Sequence, residues 1–341
     1  MKRVYLCMLC MMLALLLLLS SCTTPPTDTP SDPSADGEST DTPAGPTPDP
    51  DPEPEPEPEP ERTDFRVLLT SDIHCTHLLE WYGVPYRDRM QHWVDSVIAE
   101  HEETPIDLLV IMGDVSLDHW QHSGGGSWIN EGHSSADEFY MDFVMQLPYD
   151  IPVVMIAGNH EQYSYEQWEE IVGNERQEYY VLGDNLFLMV DTFRGELDPD
   201  YHHDGKYVGV DMDFVNEVLE EHGDKDIWLI GHYFDMSKES EEFKALLREN
   251  TNIKGLFQGH THQTSVIQLG EEYNDLTIAQ TGNFAYTKEA DIVGSFWGFR
   301  DLTITAESAE CGYIIVDSEA IINGKETTIE RNVINVVEYE K

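Results

Sequence analysis

Apolar runs of strand length alternate with amphipathic segments of helix length along most of the chain after residue 62. The run "DLLVIMG" (107–113) is continuously apolar, which is typical of a strand in a parallel sheet covered on both faces. The segment "YRDRMQHWVDSVIAEHEE" (86–103) instead has apolar residues at helical spacing. The same patterns predict strands at 65–71, 151–158, 226–231 and 253–259, two strands around the Gly-Asp-Asn turn of 179–192, and helices at 135–147, 165–173, 211–222 and 238–250.

Two further regions complete the predicted architecture. Residues 115–134 contain "HSGGGS" and have no clear period, so a long loop is predicted there. Beyond residue 262, Val, Ile, Thr and Tyr alternate with turns, which indicates antiparallel strands. Helices and strands in this order favour an α/β fold in which helices cover two packed sheets.

The first 21 residues have the organisation of a secretory signal peptide. Lys2 and Arg3 precede an apolar stretch from Val4 to Leu19, and small residues follow it. The stretch is short for a membrane-spanning helix, which needs about 20 apolar residues. The "LSSC" that ends at Cys22 resembles a bacterial lipobox, so a lipid on Cys22 is expected to hold the mature protein at the cell membrane, facing the cell surface or the periplasm. An uncleaved N-terminal anchor is the alternative, and it too exports the rest of the chain.

Residues 22–62 contain 13 of the chain's 18 prolines and the run "DPDPEPEPEPEPE". Such a segment cannot bury enough apolar surface to offset chain entropy, so a disordered acidic linker is predicted. Alternating Pro and like charges favour an extended spacer. Residues 63–341 are then long enough for one large domain with a substantial core.

The composition is strongly acidic, with 66 Asp and Glu against 19 Lys and Arg and a formal net charge of −47. Nucleic-acid binding is therefore not expected, because binding a phosphate backbone relies on clusters of Lys and Arg. After the signal peptide the chain has only Cys22, Cys75 and Cys311, too few for a disulfide scaffold. Cys75 is expected to be a packed or free thiol rather than a metal ligand, and a pair between Cys75 and Cys311 is left open.

Five of the predicted strands end in side chains that bind metals. They are Asp72 and His74 after 65–71, Asp114 after 107–113, Asn159 and His160 after 151–158, His232 after 226–231, and His260 and His262 after 253–259. In open α/β sheets ligands bind beyond the carboxyl ends of the strands, so one shared site is expected. Carboxylate, imidazole and amide donors without cysteine suit Zn, Mn or Fe, and two ions would need roughly this many ligands.

The order D-x-H, G-D, G-N-H-[DE], H and G-H-x-H closely resembles the calcineurin-like metallophosphoesterase family over about residues 65–262. The resemblance implies a four-layer α-β-β-α sandwich, the metallo-dependent phosphatase-like fold, with a dinuclear metal site at the carboxyl ends of the strands. It assigns one ion to Asp72, His74, Asp114 and His262, and the other to Asp114, Asn159, His232 and His260. Asp114 would bridge the ions, and His160 would face the substrate without binding metal. Glu161 would orient its neighbour His160.

The chain departs from many members of this family after Asp114. Those members continue G-D-x-x-[DN], whereas this chain has Leu117 at that place and Asp118 one residue later. The position is not a metal ligand in the family, so the implied metal binding is unaffected. Asp118 and His119 are candidates for substrate contact, although a solvated loop is the preferred interpretation.

Together with the export signal, this resemblance implies an exported, membrane-anchored phosphoesterase for small phosphomonoesters or phosphodiesters. Two divalent ions about 3.5–4 Å apart acidify a bridging water and neutralise charge on phosphate oxygens, so attack by a metal-bridging hydroxide is expected. His160 near the leaving oxygen adds proton transfer. The alternative is a surface-anchored binding or scaffold protein that retains the metal site without significant turnover. Residues 115–134 and 192–210 carry no motif that decides between monoesters and diesters, and oligomeric state has no signal in the sequence.

Overall fold

The computed structural model describes residues 62–75, 85–118, 134–194, 204–285, 296–316, 318–322, 325–329 and 332–340. All of them fall within one structural unit, Glu59–Lys341. The predicted signal peptide, Cys22, the predicted linker up to residue 61 and residues 119–133 of the predicted loop lie outside the described residues. Within the described ranges, no helix is long and apolar enough to cross a membrane.

The described residues form sixteen strands and five α-helices. The strands are β1 (Phe65–Thr70), β2 (Leu108–Met112), β3 (Val153–Ile156), β4 (Glu178–Leu182), β5 (Asn185–Val190), β6 (Phe193–Arg194), β7 (Lys206–Tyr207), β8 (Asp226–Gly231), β9 (Ile253–Gln258), β10 (Val266–Gln268), β11 (Thr277–Gln280), β12 (Gly298–Ile304), β13 (Ser308–Ile315), β14 (Ser318–Ile322), β15 (Lys325–Ile329) and β16 (Asn332–Glu340). The helices are α1 (Tyr86–Glu103), α2 (Ser135–Asp142), α3 (Tyr165–Val172), α4 (Met212–His222) and α5 (Glu241–Glu249).

Two six-stranded sheets carry most of these strands. The first has the order β16-β13-β12-β1-β2-β3, in which β1, β2 and β3 are parallel and the remaining pairs are antiparallel. The second has the order β10-β11-β9-β8-β5-β4, in which β5, β8, β9 and β11 are parallel and the two edge strands are antiparallel. The parallel strands are the central ones in the second sheet, whereas in the first sheet they form one half that includes the edge strand β3, and in both sheets their carboxyl ends are available for a site.

Three apolar layers hold the two sheets and the helices together. In β1, Val67 and Leu69 point between the sheets, where Trp228 of the second sheet also packs, and Leu68 points towards the helices on the other face. The helices α1, α2 and α3 cover the first sheet with Trp93, Phe139 and Trp168, and α4 and α5 cover the second with Val215 and Phe243. The four-layer α-β-β-α sandwich that the sequence predicts is thus confirmed.

Local capping explains three of the helix boundaries. The Ser134 hydroxyl accepts hydrogen bonds from the amides of Ala136 and Asp137 and starts α2. Ser164 and Gln167 form a capping box that starts α3, and Gly173 ends that helix with a φ of 83°.

The structure differs from the sequence prediction at two elements. The helix predicted over 135–147 ends at Asp142, and a separate 3₁₀ turn follows at Val144–Gln146. The strand β11 lies parallel to β9, so the expectation of only antiparallel strands after residue 262 is wrong for it. Cys75 and Cys311 are both buried free thiols, which answers the question of their pairing.

Candidate metal centre

The donor side chains that follow β1, β2, β3, β8 and β9 lie in one cluster. Its members are Asp72, His74, Asp114, Asn159, His160, His232, His260 and His262. Six of the eight are buried, whereas His160 and His260 are partly exposed. The structure therefore brings together every donor that the strand-end pattern selects.

Asp72, His74 and His262 form the first group of donors, whose ligand atoms lie within 4.8 Å of one another. The Nε2 atom of His262 is 3.1 Å from Oδ1 of Asp72, and Nε2 of His74 is 4.0 Å from the same oxygen. His74 Nε2 also lies 3.7 Å from Asp114 Oδ2. Asp114 is thus at the edge of this first group.

Asp114, His232 and His260 form the second group, again with ligand atoms within 4.8 Å. The Nε2 atom of His232 is 3.0 Å from Asp114 Oδ2. The Asn159 side-chain oxygen lies 3.1 Å from His232 Nε2 and 2.8 Å from His260 Nδ1. The Oδ2 atom of Asp114 therefore faces both groups, which is the position of a bridging ligand.

Hydrogen bonds orient several of these donors towards the cluster. His232 Nδ1 lies 2.8 Å from the carbonyl oxygen of Met112 and must donate to it, because a carbonyl only accepts. This bond leaves His232 Nε2 facing the cluster. The Oδ2 atom of Asp72 accepts from the amide of His260 at 2.9 Å, which leaves Oδ1 for the first group.

Glu161 is buried beneath Asp114 and holds two strand ends together. Its Oε2 atom accepts from the amides of Asp114 and Gly158, at 2.7 Å and 2.8 Å, and its Oε1 accepts from the amide of Ser116 at 3.0 Å. The carboxylate therefore ties the turn after β2 to the turn after β3. The motif implied that Glu161 orients His160, and these contacts instead place its carboxylate on the backbone around Asp114.

Five donor residues have left-handed backbone conformations. Their φ angles are 53° for Asp72, 48° for His74, 53° for Asp114, 66° for His260 and 58° for His262. Residues other than glycine seldom adopt these angles, and each instance costs on the order of 1–3 kcal/mol. Such strain persists only where the surrounding structure enforces it, and it is concentrated at functional sites.

Glycines at the ends of β2 and β3 allow the two turns to approach. Gly113 has a φ of 87°, and a Cβ atom there would lie 2.5 Å from the amide nitrogen of Gly158. A Cβ atom on Gly158 would in turn lie 2.6 Å from the amide nitrogen of Asp114. A side chain at Gly158 would therefore displace Asp114 from its position between the two donor groups.

The charges of the cluster favour ionised aspartates. Burial by itself would raise the pKa of Asp72, but the facing His262 lowers it to about 2. Burial likewise opposes ionisation of Asp114, whose pKa is nevertheless held well below its usual range by His160 and His232. Two ionised carboxylates among imidazoles are suited to binding cations.

The histidines and Glu161 are shifted in different directions. Burial lowers the pKa of His74 and of His260, which favours the neutral form that binds metals. Burial also acts to lower the pKa of His232, but the adjacent Asp114 carboxylate outweighs it and raises the value to about 9. The pKa of Glu161 rises to about 7, because the group is buried and close to the charge of Asp114.

One buried atom supports the assignment of a cation site. Asp72 Oδ1 is buried and makes no hydrogen bond of regular geometry among the described residues, although the His262 imidazole faces it at 3.1 Å. A buried carboxylate oxygen of this kind is costly unless a cation or donor satisfies it. Together with the imidazole and amide donors, it fits Zn, Mn or Fe.

His160 lies between the cluster and a residue that the sequence did not single out. Its Nε2 atom is 3.6 Å from Asp114 Oδ2, and its Nδ1 atom is 3.6 Å from Oδ1 of Asp204. The amide of Gly205 donates to the carbonyl of Asn159 at 2.7 Å and so anchors Asp204 beside the strand end. Asp204 lies in the region that carries no recognisable motif, so no local signal pointed to it.

Arg89 is a second contributor missed from the sequence. It is buried on α1, and its guanidinium donates to the carbonyl oxygens of Ile73, His74 and Phe284. These bonds hold the turn that carries the first two donors. The sequence did contain a sign of this role, because Arg89 is a charged residue on the apolar face of α1, beside Met90 and Trp93.

The preferred interpretation of Asp118 as part of a solvated loop is wrong. Its side chain is fully buried and accepts hydrogen bonds from the amide of Ser135 and the hydroxyls of Ser134 and Tyr163. Asp118 therefore accepts a hydrogen bond from the first residue of α2 and helps to fix the start of that helix. Leu117 is also buried, and His119 lies outside the described residues.

The fold and the donor cluster define an α/β sandwich with a candidate dinuclear metal centre. The structure is similar to that of a dimetal phosphatase from Danio rerio, with a TM-score of 0.53 and 12% identity, covering 81% of this chain and 98% of that chain. It is also similar to the structure of PhoD, with a TM-score of 0.52 and 11% identity, covering 84% of this chain and 71% of that chain. At these identities the likeness concerns the fold alone. No curated protein sequence matches the chain significantly.

The sequence itself identifies the family. The profile of the calcineurin-like phosphoesterases matches residues 65–264, which is more than half of the chain. The protein therefore belongs to the calcineurin-like phosphoesterase family, as its motifs indicated. It is a metal-dependent hydrolase that acts on phosphoester bonds.

Proposed function

We propose that this protein hydrolyses small phosphomonoesters or phosphodiesters outside the cytoplasm, with two ions of Zn, Mn or Fe as cofactors. The observation that carries the proposal is the convergence of two donor groups on Asp114, each built from the ends of separate strands. The first ion would be held by Asp72, His74, Asp114 and His262. The second would be held by Asp114, Asn159, His232 and His260.

The protein's own residues would position the substrate and handle its protons. When bound, the two ions would supply an activated water and neutralise charge on the phosphate oxygens. Asp114 Oδ2 is 3.0 Å from His232 and 3.7 Å from His74, so its carboxylate is suited to link the two groups. Glu161 and Gly158 keep Asp114 in that position through the backbone.

His160 is suited to protonate the leaving oxygen. Its side chain is 14% exposed at the mouth of the cluster, and its Nε2 atom points inwards at Asp114. The two donor groups would give each ion its ligands without His160, although a ligand atom of His160 also lies within 4.8 Å of those of His74 and Asp114. A positioned imidazole that transfers a proton in the transition state contributes about 10²–10⁴-fold to the rate.

Asp204 is suited to position His160. Its carboxylate faces Nδ1 at 3.6 Å, which is longer than a hydrogen bond but within ion-pair distance. A carboxylate on this side stabilises the doubly protonated imidazolium, whose Nδ1–H faces Asp204 and whose Nε2–H faces the cluster and can be given to the leaving oxygen. Asp204 would thus act through His160 and would not contact the reacting atoms.

Assays with two esters test the proposed activity. We would strip the purified protein with chelator, reconstitute it with Mn, Zn or Fe, and compare p-nitrophenyl phosphate with bis(p-nitrophenyl) phosphate. Metal-dependent turnover that is lost in Asp114→Asn and strongly reduced in His160→Ala is expected. The matched control is Asp184→Asn, because the side chain of Asp184 is 97% exposed.

The other outcomes of that assay separate the alternatives. Two ions per chain without turnover of any ester would favour the scaffold protein that keeps its metal site. Absence of bound metal under all reconstitution conditions would refute both proposals. Turnover of only one ester would decide between monoesterase and diesterase.

We further propose that the protein is exported and held at a membrane by a lipid on Cys22. The support is the signal-like first 21 residues, the "LSSC" sequence and the acidic linker that follows. Metabolic labelling with an alkyne fatty acid should mark the wild-type protein and not Cys22→Ala. Equal labelling of both proteins, or recovery of the wild type in the cytoplasm, would contradict the proposal.

A further inference from the structure

A pocket opens directly beside the candidate metal centre. Its volume is about 240 Å³, and Asn159 and His260 of the second donor group form one end of it. Three aromatic side chains, Phe193, Tyr207 and Tyr233, form much of the remaining wall. An ester whose phosphate is held at the centre would therefore have its organic group within reach of this wall.

The aromatic rings form a continuous surface that begins at a candidate ligand. The ring of Tyr233 is 4.6 Å from that of His260, measured between centroids, and 5.9 Å from that of Tyr207. Phe193 lies 5.4 Å from Tyr207 and 5.7 Å from His260. Aromatic rings at these separations attract one another. A flat ring of the substrate that packs against them would be attracted in the same way.

Two of the three rings, those of Tyr207 and Phe193, are held in place by their surroundings. The hydroxyl of Tyr207 donates to the carboxylate of Glu239 and accepts from the amide of Asp235 at 2.8 Å. Phe193 is only 5% exposed. Binding a flat ring to a rigid wall costs little side-chain entropy, so more of the free energy of contact is available for affinity.

The charges around the pocket disfavour a second anionic group on the substrate. Lys238 is the one cation among the residues that line the pocket, all of which the structure describes, and its Nζ atom is already 2.8 Å from Asp235 Oδ2. Asp204 also lines the pocket, and its side chain is 51% exposed. Further negative charge on the substrate would meet the Asp204 carboxylate, whereas Lys238, 63% exposed, already has Asp235 as its counter-ion.

We propose that this pocket binds a flat, uncharged aromatic group of the substrate, so that the enzyme prefers esters of nucleosides or of aryl alcohols. The inference rests on the proposed function, because it places the phosphate at the metal centre. It adds the chemical class of the organic group, which the strand-end motifs do not specify.

A matched pair of substrates tests the aromatic preference. Adenosine 5′-monophosphate and ribose 5-phosphate share the same leaving oxygen and differ in the base, and 2-naphthyl phosphate and phenyl phosphate differ in ring area. Stacking of one ring is expected to raise kcat/KM for the larger member by about tenfold. A gain in only one pair assigns the pocket to nucleosides or to aryl groups, and both results support the inference.

The variant Tyr233→Leu should remove the preference. We expect the ratio of kcat/KM for adenosine 5′-monophosphate to that for ribose 5-phosphate to fall about tenfold in this variant, towards one. Tyr149→Leu is the matched control, since Tyr149 is fully exposed. A retained preference in Tyr233→Leu would overturn the assignment of this pocket.

A second pair tests the charge preference. Uridine 5′-monophosphate and orotidine 5′-monophosphate differ by a carboxylate on the base, and the neutral base is expected to give the higher kcat/KM. Equal values, or a higher value for orotidine 5′-monophosphate, would overturn the requirement for an uncharged group.

A binding measurement separates this inference from the proposed function. Saturation-transfer NMR on metal-free protein should detect adenosine but not ribose, and the adenosine signal should be lost in Tyr233→Leu. Equal turnover within both substrate pairs, together with absence of adenosine binding, overturns the inference and leaves the phosphoesterase proposal intact. Adenosine binding without turnover of any ester supports the pocket and contradicts the proposed activity.

Discussion

The Asp204 carboxylate lies 3.6 Å from Nδ1 of His160, on the side of the ring opposite to Asp114. The two residues come from different elements, since His160 follows β3 and Asp204 precedes β7. The imidazole is therefore placed between a carboxylate inside the cluster and one at its rim. This arrangement suits a ring that must carry a proton and deliver it inwards.

Replacement of Asp204 by Asn should impair proton delivery more than substrate binding. We expect kcat to fall about tenfold for an alkyl phosphate, whose leaving oxygen needs a proton, and far less for p-nitrophenyl phosphate. The KM values should change little. Leaving-group dependence of kcat across a series of esters measures this effect.

The same series distinguishes positioning from a general structural effect. Asp184→Asn, at a 97% exposed side chain, is the matched control and should leave the whole series unchanged. An equal loss for all leaving groups in Asp204→Asn would show that Asp204 only supports the local structure.

Replacement of Gly158 by Ala should remove metal from the site. The new Cβ atom would lie 2.6 Å from the amide nitrogen of Asp114, which is closer than real Cβ contacts allow. Because Asp114 faces both donor groups, its displacement should lower the metal content below two ions per chain. Elemental analysis of the reconstituted variant measures this directly.

Gly270→Ala is a suitable comparison for that variant. Gly270 has a φ of 81° and no atom within 4 Å of the built Cβ, so alanine there adds backbone strain without a clash. It should cost about 1 kcal/mol in the free energy of unfolding and retain full metal content. Full metal content in Gly158→Ala as well would refute the packing argument.

The donors could be predicted from the sequence because each one is a local signal. Asp72, Asp114 and His232 lie one or two residues beyond the ends of apolar strands, and the ends of parallel strands meet by geometry alone. The four-layer fold followed from the same alternation of strands and helices. No long-range information was needed for either.

The supporting residues could not be predicted, because their roles depend on distant partners. Asp118 is buried through Tyr163, which lies 45 residues away in the sequence. Asp204 faces His160 because Gly205 bonds to Asn159, and Tyr207 belongs to a two-residue strand that is too short to show a period. The parallel pairing of β11 with β9 is likewise set by packing, because the sequence of a four-residue strand does not indicate whether it runs parallel or antiparallel to its neighbour.

Arg89 should be important for stability as well as for the site. Its guanidinium satisfies three buried carbonyl oxygens around the turn after β1. Arg89→Met keeps a similar apolar stem but leaves those acceptors unpaired, so the free energy of unfolding should fall by about 3 kcal/mol. Urea denaturation of metal-free protein provides the measurement.

Arg87→Met serves as the control on the same helix. The side chain of Arg87 is 54% exposed, and it pairs with Glu138, which is 16% exposed, and with Asp142, which is 45% exposed. Exposed pairs contribute about 0–1 kcal/mol, so this variant should unfold close to the wild type. Similar losses in the two variants would contradict a special role for Arg89.

The buried carboxyl of Asp118 should make stability depend on pH. Burial raises its pKa above the usual value, and this effect outweighs the hydrogen bonds from Tyr163, Ser135 and Ser134 that favour the ionised form. The folded protein therefore binds this proton more tightly than the unfolded chain does. The resulting stabilisation is complete below the unfolded pKa of 3.8 and is lost as the pH rises through the raised folded pKa.

Asp118→Asn isolates this contribution, since the amide does not titrate in this range. We expect the free energy of unfolding of the wild type, minus that of Asp118→Asn, to decrease as the pH is raised from about 3.5 to about 7. Urea denaturation of both metal-free proteins at each pH measures the difference, and Asp184→Asn provides the surface control. A difference that increases with pH would mean that the hydrogen bonds from Tyr163 and Ser135 outweigh burial and that the pKa of Asp118 is lowered.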